Sequence, residues 1–335
     1  MRMDGKSGMT LVELLVVLAI LASLAASVAV SSSGMMDRAR AEETRRQGEA
    51  MRDALERADG LSVVSDLGPI FDVETADESV RNARNLARLG FLFSPSNRFE
   101  TTGGGGVAQS AAFKVAPPYS ICECSLLPTN FAALAGIDPA RTSKFAAVTN
   151  GLGNVALGCG WRGPYCRERV RGGDGLLRDG FGGLWECAVT ATNCFLVSRG
   201  QDRAEDAVDA ATTWQDRDQA FEVIAGGNLV TLAVSLDESG IEGDGIVNLY
   251  VFAYAPRLAI DDTADESAHV GIEAACRVFR NSPSAAMTGL SVGERVIFAV
   301  GEDPEGRFYA ARPQRIVLRH GVNELTRLKI ATRSE

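Results

Sequence analysis

From Met9 to Val30 the chain runs for 22 residues with Glu13 as its only ionisable group. About 20 apolar residues suffice for a helix to cross a hydrocarbon core. Leu and Ala dominate the run and no Gly or Pro interrupts it before Gly34, so a single helix is expected. After Ser31-Ser32-Ser33-Gly34 the pattern turns to Arg, Glu and Ala. Met36, Ala39, Glu43, Met51, Leu55 and Ala58 mark one mixed face, which predicts that the helix continues to residue 58. A solvated charged helix and an amphipathic helix packed on a globular body both fit that pattern. Gly60 and the Leu67-Gly68-Pro69 turn end it, and Asp77 to Leu89 carries the spacing of a second, short helix.

From Gln219 the period shortens. Phe221–Ile224, Leu229–Leu236, Val247–Tyr254, Val270–Phe279, Arg295–Val300, Phe308–Ala311, Arg315–Arg319 and Thr326–Thr332 are short β-branched or alternating runs. Gly, Asp, Asn and Pro separate them, as in an all-β sandwich. Asp237 to Gly245 reads as an acidic hairpin connection without the spacing of an EF-hand loop. Thr101-Thr102-Gly103-Gly104-Gly105-Gly106 is a loop without the Gly-Lys-Ser/Thr of a phosphate-binding P-loop.

Glu13 is costly where it stands. A carboxylate near the centre of a membrane helix costs about 2.5–3.5 kcal/mol on insertion scales, so such a group marks a function and needs a partner. A secretory signal peptide cut within Ala25–Ser32 is one alternative, and a plain signal anchor with Glu13 at the interface is another. The length of the run and the carboxylate inside it argue against the first.

The 335 residues leave room for two compact domains after the helix. The net charge of −9, near −10 without residues 1–8, disfavours a broad nucleic-acid-binding face. Six of the seven cysteines, Cys122, Cys124, Cys159, Cys166, Cys187 and Cys194, fall within 73 residues, and Cys276 stands apart. A disulfide framework is expected if this segment lies outside the cytoplasm, with 15 pairings open to six cysteines. Cys159/Cys166 and Cys187/Cys194 share one spacing that suits two small closed loops. Zinc is the weaker alternative, because there is no Cys-x-x-Cys and the chain has only His269 and His320.

The string Gly8-Met9-Thr10-Leu11-Val12-Glu13 at the head of the apolar run resembles a type IV pilin-like prepilin, the family that includes the pseudopilins of type II secretion. The resemblance implies cleavage after Gly8 by a prepilin peptidase, N-methylation of Met9 by the same enzyme, and Glu13 as the assembly carboxylate. Glu13 would pair with the terminal amine of a neighbouring subunit. A second stretch, Gly158-Cys159-Gly160-Trp161-Arg162-Gly163-Pro164-Tyr165, then Asp179-Gly180-Phe181-Gly182, then Ser198-Arg199-Gly200-Gln201-Asp202, resembles the globular part of the major pseudopilin. That family has an Asp-Pro-Trp-Gly turn and a calcium-holding Ser-x-Gly-x-Asp loop. Here Gly180 stands for the Pro, Phe181 for the Trp, and Arg203 follows Asp202 where the family has Gly. Asp202, Glu205, Asp206 and Asp209 keep oxygens for a calcium ion, and a solvated acidic loop explains them as well. No other cofactor is expected.

The resemblance implies a long N-terminal transmembrane and amphipathic helix and a pilin-like globular α+β domain; the runs after Gln219 add a C-terminal all-β sandwich-like domain, so the chain is expected to be α+β. The divisions are a leader (1–8), the helix (9–58), a cysteine-rich pilin-like domain (59–218) and the β-domain (219–335). Pro313 to Thr332 loosely resembles the closing hairpin of immunoglobulin-like or carboxypeptidase-regulatory-like modules. The implied setting is the bacterial inner membrane, single-pass, with the body in the periplasm until filament assembly. The implied partners are prepilin peptidase, other pilin subunits and an inner-membrane assembly platform. Arg38, Arg40, Arg45 and Arg46 after the span, against Arg2 and Lys6 before it, argue the opposite orientation by charge alone.

Gly289-Leu290-Ser291-Val292-Gly293 fits a nucleophile-elbow pattern, with Asp303 and His320 following in hydrolase order. That elbow needs a helix after the serine, whereas Glu294 to Val300 reads as a strand. A turn between strands accounts for the glycines, and a structural subunit rather than an enzyme is expected.

Overall fold

The computed structural model describes residues 11–57, 62–71, 78–102, 108–168, 170, 172, 176–189, 193–201, 218–224, 230–241, 245–260, 268–282 and 284–333. Helix α1 (Leu11–Glu56) is 46 residues long. Its C-terminal half buries Thr44, Gln47, Gly48, Met51, Ala54 and Leu55, a stripe at helical spacing. Burying Met51 and Leu55 contributes about 1.5–3 kcal/mol each. The stripe starts at Thr44, not at the expected Met36. Met36 and Ala39 are exposed and Glu43 is half-buried, while Met51 and Leu55 lie in the core as the periodicity required. Ala58 lies outside the described residues.

Two helices follow: α2 (Val63–Leu67), capped by Ser62, and α3 (Glu78–Leu89), where the second helical pattern falls. Strands β1 (Ser96–Thr102) and β2 (Ala108–Val115) form an antiparallel hairpin. Next come β3 (Ser120–Cys124), α4 (Phe131–Ala135), α5 (Thr142–Ala147) and β4 (Val155–Cys159), with β3 and β4 paired antiparallel. Strands β5 (Glu186–Val189), β6 (Asn193–Ser198) and β7 (Gln219–Ile224) make one antiparallel sheet. Helix α1 seats on it, with Gly48 against the ring of Phe221 and Phe221 against Trp185 at a centroid distance of 5.8 Å.

The remaining strands are β8 (Val230–Leu236), β9 (Asn248–Ala259), β10 (His269–Arg280), β11 (Ser284–Leu290), β12 (Gly293–Glu302), β13 (Phe308–Ala311), β14 (Gln314–Leu318), β15 (Gly321–Leu328) and β16 (Ile330–Arg333). Strands β10, β9, β12, β13 and β16 form a sheet in that order, with β14 also on β12, and β11, β8 and β15 form a second, smaller one. The two pack face to face. Leu232 and Val234 of β8 share a core with Val251 of β9 and Ile297 of β12.

Two features of the packing add to the expected plan. The larger sheet is covered on its other face as well: Tyr250, Phe252, Phe298 and Phe308 pack with Phe145 of α5 and Val155 and Leu157 of β4. Phe145 meets Tyr250 edge-on at 5.3 Å and Phe308 at 5.1 Å. Double burial is why β9 and β12 read as continuous apolar runs rather than alternating ones. The β-rich part is thus not a sandwich closed on itself, because residues 120–159 supply its third layer. Nor does packing break at 218/219. Strand β7 pairs with β6 across that position, and one core joins Met51, Trp185, Leu232 and Ile297.

Smaller differences have local causes. Strand β11 escaped the periodicity because Ala285, Ala286 and Gly289 carry little side chain. The run Thr326–Thr332 splits into the end of β15 and β16, with Arg327 at φ 56° just before the break. Within Asp237–Gly245, Asp237 caps a short turn by accepting from the Ser239 amide at 3.1 Å.

Candidate functional site: the N-terminal helix and its seat

Among the described residues, the apolar side chains of the first half of α1 are left open to solvent. Leu11, Val12, Leu14, Leu15, Leu18 and Leu21 are all more than half exposed, on every side of the helix. Such an apolar surface in water is unfavourable by about 25 cal/mol per Å², so it needs a cover. Glu13 sits in the first turn of this rod. Among the described residues no helix is long and apolar enough to cross a membrane. Side chains of the apolar stretch are described from Leu11 to Ser27, about 25 Å of helix against a hydrocarbon core of about 30 Å. Gly8 and Met9 lie outside the described residues.

Below the rod, the turn at Asp179–Gly183 and the end of β6 build the seat. The Asp179 carboxylate takes the amides of Phe181 (3.0 Å) and Gly183 (2.8 Å) on Oδ1, and the Ser198 hydroxyl (2.6 Å) on Oδ2. Gly180, in that turn, donates its amide to Thr44 Oγ1 of α1 at 3.0 Å. A Cβ added at Gly180 would stand 2.2 Å from the Arg40 carbonyl oxygen. A proline at position 180 would lose that amide and collide with the helix, because the turn approaches α1 too closely for it. The Trp161–Tyr165 stretch wraps the buried Asp66. Arg162 Nε and the Tyr165 hydroxyl both donate to Asp66 Oδ2, at 2.7 and 2.9 Å, and Trp161 Nε1 donates to the Phe91 carbonyl at 2.8 Å. Burial pushes the Asp66 carboxyl above its ordinary value, and Arg162 and Tyr165 pull the other way.

The candidate calcium ligands Asp202, Glu205, Asp206 and Asp209 lie outside the described residues. Arg199, which precedes them in the chain, engages Glu186 and Asp218 at 2.7 Å each. Among the described residues no three His, Cys, Asp or Glu side chains are grouped to hold a metal.

All seven cysteines are among the described residues. Cys122, Cys124 and Cys276 line the second core beside the buried Cys159, whereas Cys166, Cys187 and Cys194 lie in the main core. The equal spacing of Cys159/Cys166 and Cys187/Cys194 therefore does not give two equal loops. Cys159 and Cys166 face different cores, while Cys187 and Cys194 bring their sulfurs to 3.0 Å. Cys159 is pushed up to about 12 by burial and by Cys122 beside it. Sharing a proton with Cys194, together with burial, holds the Cys187 thiol well above its ordinary value.

The hydrolase pattern comes apart in space. The Ser291 hydroxyl accepts from Arg295, Asp303 is held by Arg307 and Tyr309, and His320 Nε2 meets the Glu56 carbonyl oxygen at 3.0 Å. Sequence reasoning missed the role of Thr44, because a threonine within a charged helix gives no apolar signal, and that of Asp66, which lies in a five-residue helix.

The prokaryotic N-terminal methylation motif matches residues 3–29. No curated protein matches the chain. Among solved structures, a variant of BcpA, the major pilin subunit of Bacillus cereus, overlaps 46% of this chain and 39% of its own, at 9% identity. Its TM-score of 0.19 is too low to carry an argument.

Proposed function

We propose that this chain, which bears the N-terminal methylation motif of type IV pilin-like prepilins, is a structural subunit of a type II secretion pseudopilus or a related type IV pilus-like filament. Prepilin peptidase cuts after Gly8 and methylates Met9. The apolar half of α1 then holds the subunit in the inner membrane, with the body in the periplasm, until an assembly platform extracts it. Extraction exchanges lipid for neighbouring helices around Leu11–Leu24, and Glu13 exchanges a costly environment for the cationic amine of the next subunit. In that role a single buried polar group fixes register, as in coiled coils.

The observation that carries this reading is the conjunction of the motif with the division of α1. One half is an exposed apolar rod and the other is seated on the β5–β6–β7 sheet. The test is a mass spectrum of the N-terminal peptide of protein taken from membranes. A peptide starting at N-methylated Met9 supports prepilin processing; one starting near Ser31 means a cleaved secretory signal and no filament.

A second reading makes the chain a low-abundance tip subunit whose β-rich part binds a secreted substrate or a surface. The two added sheets and their third layer favour it, because such bulk on every subunit would crowd a tightly packed shaft. Its abundance relative to the other pilin-like proteins in purified filaments separates tip from shaft.

A further inference from the structure

Two sulfurs face each other across the hairpin beneath the helix seat. In the β5–β6 ladder Cys187 lies opposite Leu196 and Cys194 opposite Val189, so the two are diagonal neighbours. Their sulfurs are 3.0 Å apart, and the side chains are 2% and 0% exposed. Cys166 shares their core but is fixed elsewhere, its amide donating to the Leu92 carbonyl at 3.0 Å. The hairpin they span pairs through β6 with β7, whose Phe221 meets Gly48 of α1.

We infer that Cys187 and Cys194 form a disulfide as the hairpin folds, clamping β5 to β6 under the seat of α1. The oxidant is a protein disulfide of the exchange type. One cysteine thiolate attacks a donor sulfur, giving a mixed disulfide and releasing one donor thiol. The second cysteine thiolate then attacks the mixed disulfide at the first cysteine's sulfur, forming the Cys187–Cys194 bond and releasing the second donor thiol. The pair loses two electrons and two protons, and the donor gains them. Burial sets the timing. A macromolecular donor cannot reach sulfurs that are almost fully covered, so exchange precedes closure of the core, and the finished bond is shielded from reductants. The oxidising compartment belongs to the proposed periplasmic orientation; the choice of partners rests on the geometry alone.

Trypsin cleavage after Arg178 and Arg199 gives a single peptide that contains Cys187 and Cys194 and no other cysteine. The full-length protein is isolated from membranes with thiols blocked, denatured without reductant, alkylated and digested. The expected peptide is lighter by two hydrogens and carries no alkyl group until it is reduced, after which it carries two. On the folded protein, reduced glutathione leaves it unlabelled, and adding denaturant exposes both sites. A peptide alkylated twice before reduction, or one linked to a peptide bearing another cysteine, overturns the pairing. The same digest contains the N-terminal peptide, so a failure of prepilin processing is read separately from a failure of the disulfide.

Discussion

The Ser198 hydroxyl donates to Asp179 Oδ2 at 2.6 Å, tying the end of β6 to the turn that approaches α1. Asp179 is almost fully buried and takes two amides on its other oxygen. Replacing it with Ala strands three donors, and each buried unmet group costs about 1–3 kcal/mol. Asp179→Ala is expected to destabilise the body by about 3 kcal/mol or more in chemical denaturation followed by tryptophan fluorescence, since Trp185 lies beneath the seat. A loss below about 0.5 kcal/mol would mean the turn stands without its anchor.

Gly180 tests how closely the turn meets the helix. Gly180→Pro places a Cβ against the Arg40 carbonyl and removes the amide that Thr44 accepts. Overpacking costs about 1–3 kcal/mol and the hydrogen bond about 1 kcal/mol more. Thr44→Ala removes only the bond, so it should cost less than Gly180→Pro; the reverse order would place the strain elsewhere.

Glu13 is expected to matter for assembly and not for residence in the membrane. Glu13→Ala should fractionate with membranes as well as wild type, or better, because the change removes an insertion cost of about 2.5–3.5 kcal/mol. It should be depleted several-fold from sheared filaments when co-expressed with wild type. Equal incorporation would end the register argument.

Acid sensitivity should trace in part to Asp303. Burial works to raise its carboxyl, but the Arg307 amide and guanidinium and the Tyr309 hydroxyl outweigh that and hold it below its ordinary value. A carboxyl lowered by folding contributes stability that is fully present above its unfolded value, about 3.9. That contribution is lost as pH falls through the lower, folded value. Wild type should therefore lose stability from about pH 4 downward, and Asp303→Asn should start less stable at pH 7 and fall less steeply. Parallel pH profiles for the two proteins would assign the acid sensitivity to other groups.

Elements whose physics is local were legible from the residues alone. The apolar run around Glu13 had to be helical whatever followed it, because it contains no breaker and its side chains favour that state. The methylation motif is a contiguous string, legible without any fold. Most strands after Gln219 were legible too, since β-branched residues between turn formers leave few alternatives. The remaining features depend on partners distant in the chain. Thr44 is buried because Gly180 comes to it, and Asp66 is buried because Arg162 and Tyr165 satisfy it. Residues 120–159 cover the sheet of β9 and β12 because that sheet has two apolar faces, and a continuous apolar strand does not say what will cover the second. The cysteines make the same point. Cys159/Cys166 and Cys187/Cys194 have one spacing in sequence, yet only the second pair shares a hairpin, and strand pairing, not spacing, brings sulfurs together.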